Sequence, residues 1–173
     1  MAVDSTHEAD PKSGAQSRRP RMSLPTIDDL LARAQERARA LNLPYAGALE
    51  PAEAWALLEH EPRARLVDVR SKAEWEYVGR VPGALEIEWK SWPGMVPNPT
   101  FLDTLSAAVD PTSPILFLCR SGGRSHDAAL AATGTGFAAC YNVLQGFEGD
   151  RDSEQHRNTV GGWRAAGLPW VQG

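Results

Sequence analysis

The chain of 173 residues is long enough for one domain with a real hydrophobic core, and short for two. Its hydrophobic fraction of 42% and charged fraction of 23% are ordinary for a globular protein. The formal net charge of -4 offers no general attraction for nucleic acid or for anionic membranes, so any anion site must be built locally.

The same composition excludes several protein classes. No stretch approaches the roughly 18 apolar residues that a membrane-spanning helix needs. The N-terminus lacks the apolar core of a secretory signal, so we predict a cytoplasmic protein that binds neither nucleic acid nor membranes. Its two cysteines, Cys119 and Cys140, are too few for a disulfide framework, and we expect both as free thiols.

The N-terminal region divides into two segments. Residues 1–22 lack apolar periodicity and are predicted to be a disordered tail, which makes Met22 a candidate start codon. Residues 23–42 are predicted to be a helical arm, in which Thr26 and Asp29 form a capping box before an apolar stripe that ends at Leu41. The arm is expected to pack on the domain, with binding of a partner or a second copy as the alternative.

Residues 43–173 alternate between predicted strands and helices. Strands are expected within 43–49 and over 66–69, 85–88, 115–118 and 140–144, and helices over 52–60, 72–78, 102–109 and 125–133, with a short one around Trp163. Residues 89–99 are expected to be an irregular loop, and the apolar run 115–118 a strand buried on both faces. The alternation predicts an α/β domain with a mainly parallel central sheet flanked by helices on both faces.

The sequence CRSGGRS, residues 119–125, carries the chemistry. Glycines at 122 and 123 let the backbone curl so that its N–H groups point inward, and the helix that follows adds a partial positive charge. Arg120 and Arg124 supply full charges, while Ser125 is expected either to donate to the sulfur or to cap the helix. Every element favours an anion, so Cys119 is predicted to be a reactive thiolate. The alternatives are a buried structural cysteine, or a phosphate-binding turn with an incidental thiol.

Four segments resemble the rhodanese family of thiosulfate sulfurtransferases and their single-domain relatives. They are LVDVR (66–70) with Glu74-Trp75 after it, GRVPGA (79–84), CRSGGRS (119–125), and YNVLQGFEG with GGWRAAGLPW near the C-terminus. Together they extend over roughly residues 49–170. The resemblance implies a rhodanese-like domain over 43–173.

The resemblance also implies a mechanism without a metal or an organic cofactor. Cys119 would carry sulfur as a persulfide, which the backbone amides of residues 120–125, including those of Ser121, Gly122 and Gly123, would hold. Arg120 and Arg124 would bind an anionic donor such as thiosulfate. A thiol, cyanide or a sulfur-relay protein would then accept the sulfur in a ping-pong reaction.

Asp68, Arg70 and Glu74 are implied to be structural support, with Arg70 paired to Glu74 beneath the site. Arg80 stands where the family usually has a histidine. A longer segment than expected, 150–160, precedes the final Gly-Gly-Trp, and its acidic residues are interpreted as a solvated loop rather than a metal site. Elsewhere, we expect buried side chains for Cys140, Trp89 and Trp92.

Two other functions stay open. Cysteine phosphatases and arsenate reductases also surround a thiolate with amides, but the phosphatases need an arginine six residues after the cysteine. Ser125 occupies that position, and the arginine comes one residue earlier. The shorter loop favours a sulfane sulfur over a phosphoryl group. The second alternative is a non-catalytic sulfur-carrier or regulatory module.

Overall fold

The computed structural model describes Met1 and residues 25–173. Apart from Met1, the predicted tail at 1–22 and its candidate start Met22 lie outside the described residues. So do residues 23 and 24 of the predicted arm. Among the described residues, no helix combines the length and the apolar character needed to cross a membrane.

The described chain forms five helices and seven strands. In chain order they are α1 (Ile27–Ala40), β1 (Gly47–Leu49), α2 (Pro51–His60), β2 (Arg65–Asp68), α3 (Lys72–Tyr77), β3 (Leu85–Glu86), β4 (Lys90–Ser91), β5 (Val96–Pro97), α4 (Phe101–Ala108), β6 (Ile115–Leu118), α5 (Gly123–Gly134) and β7 (Cys140–Val143). Five strands form one parallel sheet in the order β1-β7-β6-β2-β3, and β4 and β5 form a separate antiparallel hairpin.

The central strand β6 shows why helices cover both faces of the sheet. All four of its residues are buried, as its uninterrupted apolar sequence predicts. Because side chains alternate along a strand, Ile115 and Phe117 pack with residues of α4 and α5, and Leu116 and Leu118 pack with residues of α1 and α2. The predicted α/β fold, with helices on both faces of a parallel sheet, is confirmed.

Helix α1 packs against the edge strand β1 and helix α2. Its N-terminus carries the predicted capping box between Thr26 and Asp29, and its buried residues are Leu30, Ala34 and Ala38. The Arg37 guanidinium donates to both carboxylate oxygens of Glu53 in α2 and to the backbone of β1. Leu41, the last residue of the predicted stripe, lies past the helix end and is 57% exposed.

Two local predictions were wrong. The segment 89–99 is not irregular throughout, because β4 and β5 pair within it, and Trp89 anchors the hairpin by packing edge-on against Phe101 at 4.9 Å. The segment around Trp163 forms turns instead of a helix. Gly162 and Gly167 both have positive φ, and four residues between two such positions leave too little room for a helix.

The topology brings two loops to one edge of the sheet. Strands β2 and β6 are parallel neighbours, and their last residues, Asp68 and Leu118, are in register. Since the carboxyl ends of parallel strands lie on the same side, the segment after β2 and the loop after β6 meet there.

Candidate active site

Cys119 follows β6 directly, and its thiol lies at the start of helix α5. The residue is 1% exposed, and its Sγ accepts hydrogen bonds from the backbone N–H of Gly122 at 3.1 Å and from the hydroxyl of Ser125 at 3.2 Å. The helix begins at Gly123, so Ser125 lies inside its first turn. Of the two alternatives for this residue, the structure shows donation to the sulfur and not capping of the helix. Two hydrogen-bond donors and the helix N-terminus therefore face the sulfur.

Gly122 makes the turn of this loop. Its φ of 106° is left-handed, which only glycine adopts without strain, and this turn directs its N–H at the sulfur. Gly123 was also expected to let the backbone curl. It is instead the first residue of α5, where a Cβ would meet open space. The N–H groups of the first helical turn have no acceptor within the helix, so those of Gly123 and Arg124 are available to an anion.

The segment after β7 supports the back of the loop. Backbone N–H groups of Phe147 and Glu148 donate to the carbonyls of Cys119 and Arg120, at 2.7 and 2.9 Å. A Cβ on Gly146 would lie 2.5 Å from the Cys119 carbonyl oxygen, so only glycine permits this approach. This close approach explains why the Gly-Phe-Glu-Gly sequence begins with a glycine.

Asn142 in β7 is a supporting residue that the sequence analysis missed. Its Nδ2 donates to the carbonyl of Gly122 at 3.2 Å, while the N–H of the same glycine contacts the sulfur. The side chain is buried, 4% exposed. The sequence does contain a signal for this role. Asn142 is the one amide in the strand sequence CYNV, and a buried amide needs a hydrogen-bond partner.

Glu74 and Arg124 form the ion pair at the front of the loop. The two carboxylate oxygens accept from the two terminal nitrogens of Arg124, each at 2.7 Å. Burial raises the pKa of Glu74, but hydrogen bonds from Arg124 and the Ser71 backbone outweigh it and lower that pKa to about 2. Burial likewise opposes the charge of Arg124, but Glu74 holds the pKa of that guanidinium above its ordinary value.

The predicted pairing of Arg70 with Glu74 is therefore wrong. Arg70 binds Asp68 instead, with Nε and Nη2 donating to the carboxylate, and Nη2 also donates to the carbonyl of Gly79. Both side chains are fully buried, and the guanidinium lies 4.0 Å from the centre of the Phe147 ring. Residues two apart in an extended segment share a face, which brings Asp68 and Arg70 together, whereas Glu74 belongs to the next helix.

A cleft of about 540 Å³ opens beside the loop. Arg120 and Arg124 lie in its wall. The lining residues that the sequence analysis did not single out include Tyr77, Met95, Glu148 and Arg157. Trp92, predicted to be buried, also lines the cleft and is 64% exposed. Trp89, also predicted to be buried, is partly buried and packs against the core.

The second cysteine is remote from the first. Cys140 is fully buried, and burial raises the pKa of its thiol. Cys140 is in register with Ile115, at the opposite end of β6 from Cys119. Ile115 and Cys119 are four residue steps apart along the chain, about 13 Å at 3.3 Å per residue. Cys140 therefore lies beyond the reach of a disulfide to Cys119.

Comparisons with known proteins agree with this arrangement. A model of the rhodanese-like domain matches residues 50–152. Uncharacterized proteins of Rickettsia conorii and Rickettsia prowazekii are 35% and 33% identical over 122 and 120 residues, which are 68% of this chain and 91% of each relative.

Solved structures give the same result. Rv0390 from M. tuberculosis is 46% identical, with a TM-score of 0.69 over 75% of this chain and 99% of that one. The polysulfide-sulfur transferase from Wolinella succinogenes is 20% identical with a TM-score of 0.51, over 85% of each chain, and shares the fold. With a cysteine loop at the end of the central strand and a family match over residues 50–152, the chain belongs to the rhodanese-like domain family.

Proposed function

We propose that the protein is a sulfurtransferase that carries sulfane sulfur as a persulfide on Cys119. The observation that carries the proposal is the pair of hydrogen bonds to Sγ, from the Gly122 N–H and the Ser125 hydroxyl, at the N-terminus of α5. A small anion bound to that sulfur would meet the remaining N–H groups of the first helical turn.

The reaction has two steps. In the first, the Cys119 thiolate attacks the outer sulfur of thiosulfate, the donor's S–S bond breaks with its electron pair, and sulfite leaves. In the second, cyanide or a thiol attacks the terminal sulfur of the persulfide, and the Cys119 thiolate is the leaving group. Neither step needs a metal or an external oxidant.

The surrounding charges support an anionic donor. Among the described residues, the Arg120 side chain has no hydrogen-bond partner or ion pair and is exposed at the cleft. Arg124 also lines the cleft, but two of its nitrogens bind Glu74. We therefore propose Arg120 as the more available ligand, with Arg124 contributing from within its ion pair.

The geometry favours sulfur over phosphorus. The position six residues after the cysteine, where phosphatases use arginine, is Ser125, and its hydroxyl contacts the thiol itself. Both terminal nitrogens of the preceding arginine already donate to Glu74, so only its remaining N–H groups are available to the oxygens of a phosphoryl group. The Wolinella relative with the same fold is described as a polysulfide-sulfur transferase, which is consistent with sulfur chemistry.

Mass spectrometry of the intact protein tests the proposal. After exposure to thiosulfate, the wild type and Cys140→Ala should gain one sulfur atom on Cys119, and Cys119→Ser should gain none. Serine is nearly isosteric, so the variant should keep its circular dichroism spectrum and melting temperature. Addition of cyanide should then release thiocyanate from the loaded proteins.

Three results would separate the alternatives. Hydrolysis of an aryl phosphate without sulfur transfer would overturn the assignment in favour of a phosphatase. Loading that is slow from thiosulfate but fast from a protein persulfide would indicate a sulfur carrier instead of an enzyme for small donors. Transfer retained by Cys119→Ser would exclude Cys119 as the sulfur carrier.

A further inference from the structure

The segment 150–160, predicted to be a solvated loop, contributes Arg157 to the cleft. The Asp152 carboxylate accepts from the backbone N–H groups of Glu154 and His156 and from the Thr159 hydroxyl, which closes a compact turn. Those hydrogen bonds, first of all the one from the His156 backbone, lower the pKa of Asp152. The turn holds Arg157 against the cleft wall.

Arg157 is a cation available to a ligand. Its Nη1 donates to the carbonyl of Gly149, and within residues 25–173 it forms no ion pair. A guanidinium has five N–H donors, so most of its capacity is unused. Arg120 is similarly free, Arg124 is neutralised by Glu74, and Glu148 is the remaining carboxylate. Two free arginines against one carboxylate leave one net positive charge, which complements one carboxylate of a ligand.

The cleft lining also includes large apolar side chains. Tyr77 and Trp92 are 76% and 64% exposed, and Met95 lines the same cleft. Large exposed apolar side chains that line a concave site are typical of ligand-binding surfaces. The cleft of about 540 Å³ is also larger than inorganic donors require. Thiosulfate occupies roughly 100 Å³, a few times the 30 Å³ of a water molecule.

We propose that the cleft binds organic thiols and their persulfides that carry a carboxylate, and that Arg157 is the residue that selects for that carboxylate. The carbon skeleton packs on Trp92 and Met95. This inference rests on the proposed sulfurtransferase function. The bound thiolate attacks the outer sulfur of the protonated Cys119 persulfide, the S–S bond of the enzyme breaks, and the products are the organic persulfide and the Cys119 thiolate.

A kinetic comparison of two acceptors tests the selection. Protein loaded with sulfur is unloaded with 3-mercaptopropionate or with the uncharged 2-mercaptoethanol. Arg157→Ala should raise KM for the carboxylated thiol about tenfold with little change in kcat, as expected for the loss of one charge-assisted hydrogen bond. KM for 2-mercaptoethanol should change less than about twofold. Arg157→Lys should recover part of the loss.

Arg151→Ala is the matched control. Arg151 lies in the same segment, is exposed, donates to Gln155 and does not line the cleft. It should leave both KM values unchanged. Arg157→Ala losses that are equal for the two acceptors would indicate a collapsed loop, since the bond to Gly149 is also removed. That result would overturn the proposal.

A binding titration decides the proposal even if Cys119 takes up no sulfur. In Cys119→Ser protein, the unreactive 3-(methylthio)propanoate and its primary amide are titrated while the indole N–H signal of Trp92 is followed by NMR. We expect the carboxylate to bind more tightly than the amide, and Arg157→Ala to abolish that difference. Equal affinities for the carboxylate and the amide in the protein that retains Arg157, or no movement of the Trp92 signal, would overturn the proposed ligand class.

Discussion

The loop that carries Cys119 has two sides of opposite character. Behind it, Asp68, Arg70 and Asn142 are buried. Arg70 donates to Asp68, and Asn142 donates to the carbonyl of Gly122 in the loop. In front of it, the cleft side presents Arg120 and Trp92 to solvent. Burial strengthens every charge interaction and makes each missing partner costly, whereas exposed groups contribute little to stability. The back of the loop should therefore govern folding, and the front should govern which ligand is bound.

The largest effect is expected for the buried ion pair. Arg70→Met leaves the Asp68 carboxylate in the interior without its cation, which should cost about 3–5 kcal/mol of unfolding free energy. Urea denaturation at pH 7 measures it, with Arg151→Met as an exposed control. The double variant Asp68→Asn, Arg70→Met should recover part of the loss, because it removes the unpaired charge. A loss under about 1 kcal/mol in the single variant would contradict the contrast between buried and exposed charges.

A smaller and pH-dependent effect is expected for Glu74, whose ion pair with Arg124 lies at the front of the loop and is only partly buried. Its pKa falls from 4.5 to about 2 on folding, so its stabilisation is complete above about pH 4.5 and is lost as the pH decreases toward 2. Glu74→Gln should be about 2 kcal/mol less stable at pH 7, after allowance for solvent screening. The difference should narrow as the pH falls from 7 to 3.

Urea denaturation of both proteins across that pH range provides the measurement. Glutamine can still accept from the Ser71 backbone with its one oxygen, so the variant removes the charge that faces Arg124 and one of the two acceptors of that arginine. A difference that stays constant over the whole range would show that the ionised carboxylate is not its source.

The smallest effect is expected from the two neighbouring glycines of the loop. Alanine at Gly122 must adopt a positive φ, which should cost about 1 kcal/mol and slow sulfur loading by misdirecting the N–H at the thiol. Alanine at Gly123 fits helical backbone in open space and should stabilise the protein by roughly 0.5 kcal/mol. Melting temperatures of the two variants compare them directly. Equal destabilisation would show that the turn does not depend on the conformation of Gly122.

Much of the candidate site could be predicted because it is local in sequence. A buried strand, a cysteine, glycines and a helix follow one another within residues 115–134, so their order alone places Cys119 at a helix N-terminus. The apolar run of β6 likewise indicated burial on both faces before its neighbours were known.

Predictions failed where the partner of a side chain lies far along the chain. Glu74 and Arg124 are fifty residues apart, and Asn142 reaches Gly122 across the sheet. The two tryptophans of the segment 89–99 are equally hydrophobic, yet Trp89 packs on Phe101 and Trp92 lines the cleft. Hydrophobicity indicates that such a residue tends to be buried, but the direction of each strand and turn decides which one is.

The sequence by itself determined the fold class and the position of Cys119 in a loop of glycines and arginines before a helix, because periodicity and loop composition act between near neighbours. Only the tertiary structure decided which arginine is neutralised, which is buried and which is free. The charge of Arg70, Arg124 and Arg157 is the same in the sequence. Their different surroundings, an interior carboxylate, a partly buried one and an open cleft, assign them to stability, loop support and ligand selection.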